Sequence, residues 1–236
     1  MDSELKIVAT ADGSNTIYNP RVGENYHSRN GALQESRHVF LNSGLLYFLD
    51  APSKSPPVGE TFPGAAISIL EVGFGTGLNF LLTADFCTEN KLWLNYTGIE
   101  AYPLTAEMIA QTGYDQYVSP EIWQVFIEKY PDSLKSQVVI NPLCQLQIAG
   151  CKLENFRSDQ QYDIIYFDAF AVAHQPEMWD ERAISHTVQF LKPGGVFVTY
   201  AITGNLKRAL KALGCGVEKA KGAAGKREML RAVKSV

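Results

Sequence analysis

The chain lacks any run of about 20 apolar residues, which excludes a membrane-spanning helix. Its start, Met1-Asp2-Ser3-Glu4-Leu5-Lys6, is acidic and has no apolar signal-peptide core, so a cytoplasmic protein is expected. Cysteine is scarce. Cys87, Cys144, Cys151 and Cys215 form no CxxC pair, and His27, His38, His174 and His186 show no ligand spacing. No metal site and no disulfide framework are therefore expected, and the thiols read as small buried side chains. No Gly-Lys-Ser/Thr is present, which removes a P-loop.

What is there suits one large domain, or one domain with an appendage. The 236 residues are 46% hydrophobic and 19% charged, with a net charge of −4. A chain of this length buries roughly 70% of its unfolded surface. The charge is uneven. Residues 205–236 hold nine of the 21 Lys and Arg but only two of the 25 acidic residues, which makes this section +7 and the rest −11. Such a section permits a polyanionic partner; its bland reading is a solvated face.

Residues 5–18 read as a β-hairpin turning at Asp12-Gly13, and 32–50 as a helix with Leu33, Val39, Phe40, Leu45, Leu46 and Leu49 on its apolar positions. A Pro-rich linker at 52–59 divides an N-terminal hairpin, flap and helix extension (1–58) from the main domain (59–236). From residue 66 strands and helices alternate. Strands are expected at 67–72, 94–99, 138–140, 162–167 and 196–200, then two closing strands at about 216–220 and 226–234. Helices are expected at 77–87, 104–112, 119–129, 177–190 and 204–213. Alternating βα units predict an α/β fold, a doubly wound and mostly parallel sheet.

The strongest local signal is Glu71-Val72-Gly73-Phe74-Gly75-Thr76-Gly77-Leu78-Asn79, which closes a strand and opens a helix. A dinucleotide fingerprint needs glycine at 78, where leucine stands. The observed GxGxG resembles motif I of class I S-adenosylmethionine methyltransferases. Glu100, at the end of the second strand, can accept hydrogen bonds from both hydroxyls of a ribose. Asp168 ends the strand 162–167 over the same crevice, poised for catalysis or substrate binding or acting as a helix cap. Asp163, at the strand start, reads as structural.

Several segments together resemble a narrower family, the methyltransferase domain of bacterial MnmC-type tRNA-modifying enzymes. They are Gly31-Ala32-Leu33-Gln34-Glu35-Ser36-Arg37-His38-Val39-Phe40, the glycine-rich turn, Gly98-Ile99-Glu100, Phe167-Asp168-Ala169-Phe170 with Pro176-Glu177-Met178-Trp179, Leu191-Lys192-Pro193-Gly194-Gly195, and Lys226-Arg227-Glu228-Met229-Leu230. The likeness runs from about residue 24 to 232.

The resemblance implies methyl transfer to the aminomethyl group of a wobble uridine in tRNA, with S-adenosylmethionine as cofactor. It implies no FAD in this chain, since the FAD-dependent part of the bifunctional members has no counterpart here. A separate FAD-dependent enzyme then supplies the amine, or the substrate differs. Glu71, Gly73, Gly75, Gly77, Asn79, Glu100 and Cys151 are the expected cofactor residues and Asp168 the catalytic one. Phe170 and Trp179 are expected to stack on bases of the anticodon region, and Lys226 and Arg227 to meet the tRNA. Tyr26 and His27 are candidates for a flap over the cofactor. The chain departs from the family at Gly150-Cys151, where Gly-Asp is usual, and at Ala171-Val172 and His174. A thiol is a poor acceptor for an adenine amino group. Two rival readings remain: a methyl- or aminopropyl-transferase for another small amine, and a non-catalytic RNA-binding module.

Overall fold

Ile67–Val72 is apolar except at Ser68 and Glu71, and every one of its residues is buried. That is the pattern of a strand covered on both faces. In this computed structural model residues 4–50 and 66–236 are described. The Pro-rich linker, and the boundary placed at residue 58, lie outside them.

A small antiparallel sheet opens the chain: β1 (Lys6–Ala9), β2 (Asn15–Asn19) and the two-residue β3 (Glu24–Asn25). Asp12 organises the first turn, its Oδ1 accepting from the Thr10 hydroxyl at 2.7 Å and the Ser14 N–H at 3.0 Å. The stretch 32–50 is helical throughout, as α1 (Ala32–Ser36), a π-helical segment (Arg37–Leu46) and α2 (Tyr47–Asp50). The apolar period predicts helix here; the wider central turns carry no separate sequence signal. Val39, Phe40, Gly44 and Leu45 of the π segment are buried.

The main sheet holds eight strands. They are β4 (Ile67–Val72), β5 (Leu94–Ile99), β6 (Val138–Asn141), β7 (Cys144–Ala149), β8 (Tyr162–Phe167), β9 (Leu191–Thr199), β10 (Cys215–Lys221) and β11 (Glu228–Lys234), in the order β10-β11-β9-β8-β4-β5-β7-β6. The central five pair in parallel, while β6 and β11 run antiparallel to their neighbours. Between strands run α3 (Leu78–Glu89), α4 (Ala106–Ala110), α5 (Pro120–Ser133), α6 (Glu181–Val188) and α7 (Gly204–Ala212). One buried cluster joins the sheet to the π segment, α3 and α5; a second joins it to α6 and α7. Ile17, Phe40 and Leu45 share the first cluster with Ile69 and Phe80, so the N-terminal elements pack on the sheet. Phe80 lies 5.1 Å from Tyr96 and 5.4 Å from Phe126, ring centre to ring centre. Such pairs contribute about 0.5–1.5 kcal/mol each beyond area burial.

Two expectations need correcting. The strand at 138–140 is not the third parallel strand but an antiparallel edge. The third parallel strand is Cys144–Ala149, which was not anticipated. Cys144, Leu146 and Ile148 are buried while Gln145 and Gln147 are exposed, a period of two obscured by its glutamines and cysteine. The helix expected at 177–190 divides. A 3₁₀ turn covers Pro176–Trp179, and α6 begins after Asp180, whose carboxylate accepts from the Ala183 N–H at 2.7 Å. That side chain satisfies a free helix N–H and fixes the start.

Candidate active site

The parallel strands β4, β5 and β8 end together, and the glycine-rich turn lies across their tips. Gly73 and Gly75 both take positive φ, 88° and 53°. A Cβ at Gly73 would collide with the Asp168 carbonyl oxygen, and one at Gly75 would lie 2.8 Å from the Tyr26 ring. Glycine is therefore required twice over, by conformation and by close approach. Gly77 immediately precedes α3.

Glu100 closes the turn from the next strand. Its Oε2 accepts from the Gly75 N–H and its Oε1 from the Tyr102 N–H, both at 2.9 Å. Burial raises its carboxyl above the ordinary range, and these N–H donors oppose the shift.

Asn79 stands in the first turn of α3 and bridges two carboxylates. Its NH₂ donates to Glu71 Oε1 and to Asp168 Oδ2, each at 2.8 Å. The Tyr96 hydroxyl donates to Glu71 Oε2 at 2.9 Å. Glu71 has no exposed surface, and burial, with Asp168 adding to it, holds its carboxyl well above the usual range. This corrects the expectation of direct cofactor contact: Glu71 lies beneath the turn and orients Asn79. The Asn79 carbonyl oxygen is buried with no donor among the described residues.

Asp168 follows β8, held by its N–H to the Val72 carbonyl at 2.8 Å. Burial and the field of Glu35 push its carboxyl up to about 8, against the pull of Asn79 and Lys226. It opens on a cavity of about 200 Å³ whose walls include Glu24, Asn25, Glu35, Phe170 and Lys226. Glu35 accepts from the Ser28 N–H at 2.9 Å and pairs with Lys226 Nζ at 2.6 Å. That ammonium also lies 3.8 Å above the Tyr200 ring centre. One lysine, paired with Glu35, thus shares this cavity with three carboxylates.

Tyr26 and His27 fold over the turn from the N-terminal side. Tyr26 rests against Gly75 and meets Phe170 edge-on at 5.1 Å. His27 Nε2 lies 2.7 Å from the Thr76 hydroxyl. Burial drives the His27 pKa down to about 4, so its ring is neutral at neutral pH.

Other expected residues do not line this cavity, though the Cys151 N–H shares the Ala149 carbonyl with that of Glu100. Cys151 is half-buried after β7 and lines a separate groove of about 330 Å³ on the sheet face. Trp179 is not available for stacking on a base. It is buried against Phe167 at 5.1 Å and Tyr200 at 6.0 Å, and its indole N–H donates to the Phe170 carbonyl at 2.7 Å. Four of the nine cations of the basic C-terminal section are committed within the fold, Lys226 among them, while Arg208 and Lys211 are exposed. Lys219 pairs with Glu228, Arg231 with Glu218 while stacking on Tyr47, and Lys234 donates to the Val188 and Leu191 carbonyls. Lys221 and Arg227 are exposed. Asp163 is structural as expected, bonded to Ser68 and Lys192. Glu24 and Asn25 were missed by sequence reasoning, because a polar loop of this composition gives no positional signal. Glu35 carried one, an acid followed by an apolar helical face.

Comparison with known proteins follows the same lines. A family profile described as S-adenosyl-L-methionine-dependent methyltransferase matches residues 118–235, half the chain. The tRNA 5-methylaminomethyl-2-thiouridine biosynthesis bifunctional protein MnmC of Acinetobacter baylyi is 26% identical over 94% of this chain and 36% of its own length. That of Ectopseudomonas mendocina is 30% identical over 88% of this chain and 32% of its own. The chain thus spans about a third of the curated relatives it matches. The crystal structure of MNMC2 from Aquifex aeolicus superposes with a TM-score of 0.73 at 23% identity, covering 98% of this chain and 71% of that one.

Proposed function

The chain belongs to the S-adenosyl-L-methionine-dependent methyltransferases, and from that premise we propose that it methylates the amine of a 5-aminomethyluridine, 2-thiolated or not, at the wobble position of tRNA. The observation that carries this reading is the cavity at Asp168, walled by Glu24 and Glu35 as well. Such a wall stabilises an amine as it becomes an ammonium. The names of the MnmC relatives point the same way.

The residues around the glycine-rich turn fit the cofactor. Glu100 offers a carboxylate to a ribose, and the buried Asn79 carbonyl oxygen has no donor of its own. The cofactor supplies an electrophilic methyl group on a sulfonium. The rest falls to the protein. Asn79 fixes one oxygen of Asp168 and leaves the other to take a proton from the incoming amine. Tyr26 and His27 shield the turn from water. Phe170, half-exposed in the cavity wall, presents a ring to a base. Arg227 at the surface and Arg29 at the cavity are placed for phosphates. Lys226 serves by its pair with Glu35. We place the protein in the cytoplasm, with a separate FAD-dependent enzyme supplying the amine.

The test is mass spectrometry of tRNA nucleosides after incubation with protein and methyl donor. Aminomethyl-bearing tRNA should gain one methyl at the wobble uridine, and tRNA lacking the amine none. Methylation of a free small amine, with tRNA untouched, would establish the rival reading.

A further inference from the structure

Glu24 and Asn25 form the whole of β3, whose backbone pairs with Tyr18 and Asn19 of β2. That pairing holds both residues in the wall of the cavity that Asp168 and Tyr200 also line. Glu24 Oε2 accepts the Ala171 N–H at 2.8 Å, which ties its carboxylate to the loop following Asp168. Asn25 Oδ1 is buried and accepts from no described donor, although the residue lines the same cavity. A buried acceptor left unmatched is costly, so such atoms are few and mark a place for a donor.

The donors and acceptors in this cavity do not balance. On the donor side, the Lys226 ammonium is engaged by Glu35 and the Tyr200 ring, and the Ser28 N–H by Glu35, while the exposed Arg29 of the same wall is placed for phosphate. On the acceptor side stand Glu24, Asn25 Oδ1 and Asp168, whose Oδ2 alone is taken by Asn79. Deeper still, Asn79 is 3% exposed and its own carbonyl oxygen lacks a donor. A ligand that settles this account brings several N–H groups on one atom. A hydroxyl brings one O–H; a primary ammonium brings three N–H.

We propose that Glu24 and Asn25 are the amine-positioning residues of this site, holding two N–H groups of a primary amine while Asp168 takes the third proton. The inference rests on the reading above and deepens it. The ammonium gives one proton to Asp168 and becomes a neutral amine. Its freed lone pair forms the nitrogen–carbon bond as the methyl–sulfur bond breaks, and that bond's electron pair stays on sulfur. The nitrogen leaves as a secondary ammonium with two N–H groups. With one donor replaced by a methyl, the product no longer matches the three acceptors, so the site favours one methylation over two.

The experiment separates this from the identity of the nucleoside. Binding of benzylamine and of benzyl alcohol is measured by calorimetry on the wild type, E24Q and N25A, with thermal melts as a check on folding. Glutamine keeps the size and an oxygen for the Ala171 N–H. The wild type should bind the amine at least tenfold better than the alcohol. E24Q should lose most of that preference and N25A part of it, with alcohol binding unchanged. In parallel, methylation of aminomethyl tRNA should show a raised KM in E24Q and a dimethylated product absent from the wild type. No amine preference in the wild type, or equal preference in wild type and folded E24Q, would overturn the proposal. An amine preference lost in E24Q, in a protein inactive on aminomethyl tRNA, would sustain the amine site and reject the tRNA reading.

Discussion

Asp168 joins two demands that pull against each other. A proton acceptor must be charged to work, yet burial and Glu35 favour its neutral form and set its pKa near 8. An arriving ammonium offsets that cost. Asp168→Asn should lower turnover by about 10²–10⁴ while the cofactor still binds, as single-turnover kinetics and calorimetry would show. The same shift has a sign in stability. The unfolded carboxyl titrates near 3.8 and the folded one near 8, so the native state binds more protons between those values. The contribution of Asp168 to stability should fall as pH rises from about 4 to 8. Asp168→Asn removes that penalty, and its melting temperature should gain on the wild type between pH 5 and pH 8.5. A gap independent of pH would place the burial penalty elsewhere. At Glu100, loss of its hydrogen bonds in Glu100→Ala should weaken S-adenosylmethionine binding at least ~10-fold by calorimetry, at roughly 1.5–3 kcal/mol per bond to a charged group.

At the scale of elements, the N-terminal flap and the π segment carry the expectations. His27 must be neutral to stay buried beside Thr76. Its folded pKa near 4 lies below the usual 6.5, so stability is lost as pH falls through that window. Hydrogen exchange at residues 25–28, corrected for intrinsic rate, should speed up between pH 7 and pH 4.5 more than exchange in β4. Gly44 in the π segment has no room for a side chain, since a Cβ would lie 2.8 Å from the Tyr166 ring and 3.0 Å from Val198. Gly44→Ala should destabilise by about 1–3 kcal/mol in chemical denaturation. Much of the element plan was legible because β4 and β8 are mostly apolar with β-branched residues, and the GxGxG turn follows one of them directly. β7 escaped because Gln145 and Gln147 alternate with Cys144, Leu146 and Ile148, a pattern readable only once the strand is suspected. The turn and the strand-end carboxylates were legible for the same reason: strand ends converge in this topology. The cavity's opposite wall was not, since nothing local tells that Glu24 will lie near Asp168.

For the whole molecule, charge is the quantity to revise. The +7 already counts Glu218 and Glu228, and Glu35 takes up one further charge through Lys226; Arg208, Lys211, Lys221 and Arg227 remain exposed, with Lys221 and Arg227 on either side of Lys226 in sequence. Each phosphate neutralised steepens log K against log salt by about 0.7–0.9. A Lys221→Ala/Arg227→Ala pair should therefore flatten the tRNA-binding slope by about 1.5, read from titrations at several salt concentrations. An unchanged slope would move the RNA surface off this edge.

The insertion of β11 between β9 and β10 has a consequence in time. The cavity takes Glu24 and Glu35 from the start of the chain, Asp168 from its middle and Lys226 from just before its last strand. During synthesis the glycine-rich turn emerges well before Lys226, whose wall is held by β10 and β11 on either side of it. A nascent or C-terminally clipped chain can hold the turn without a neutralised Glu35, and such non-local pairing is slow to form.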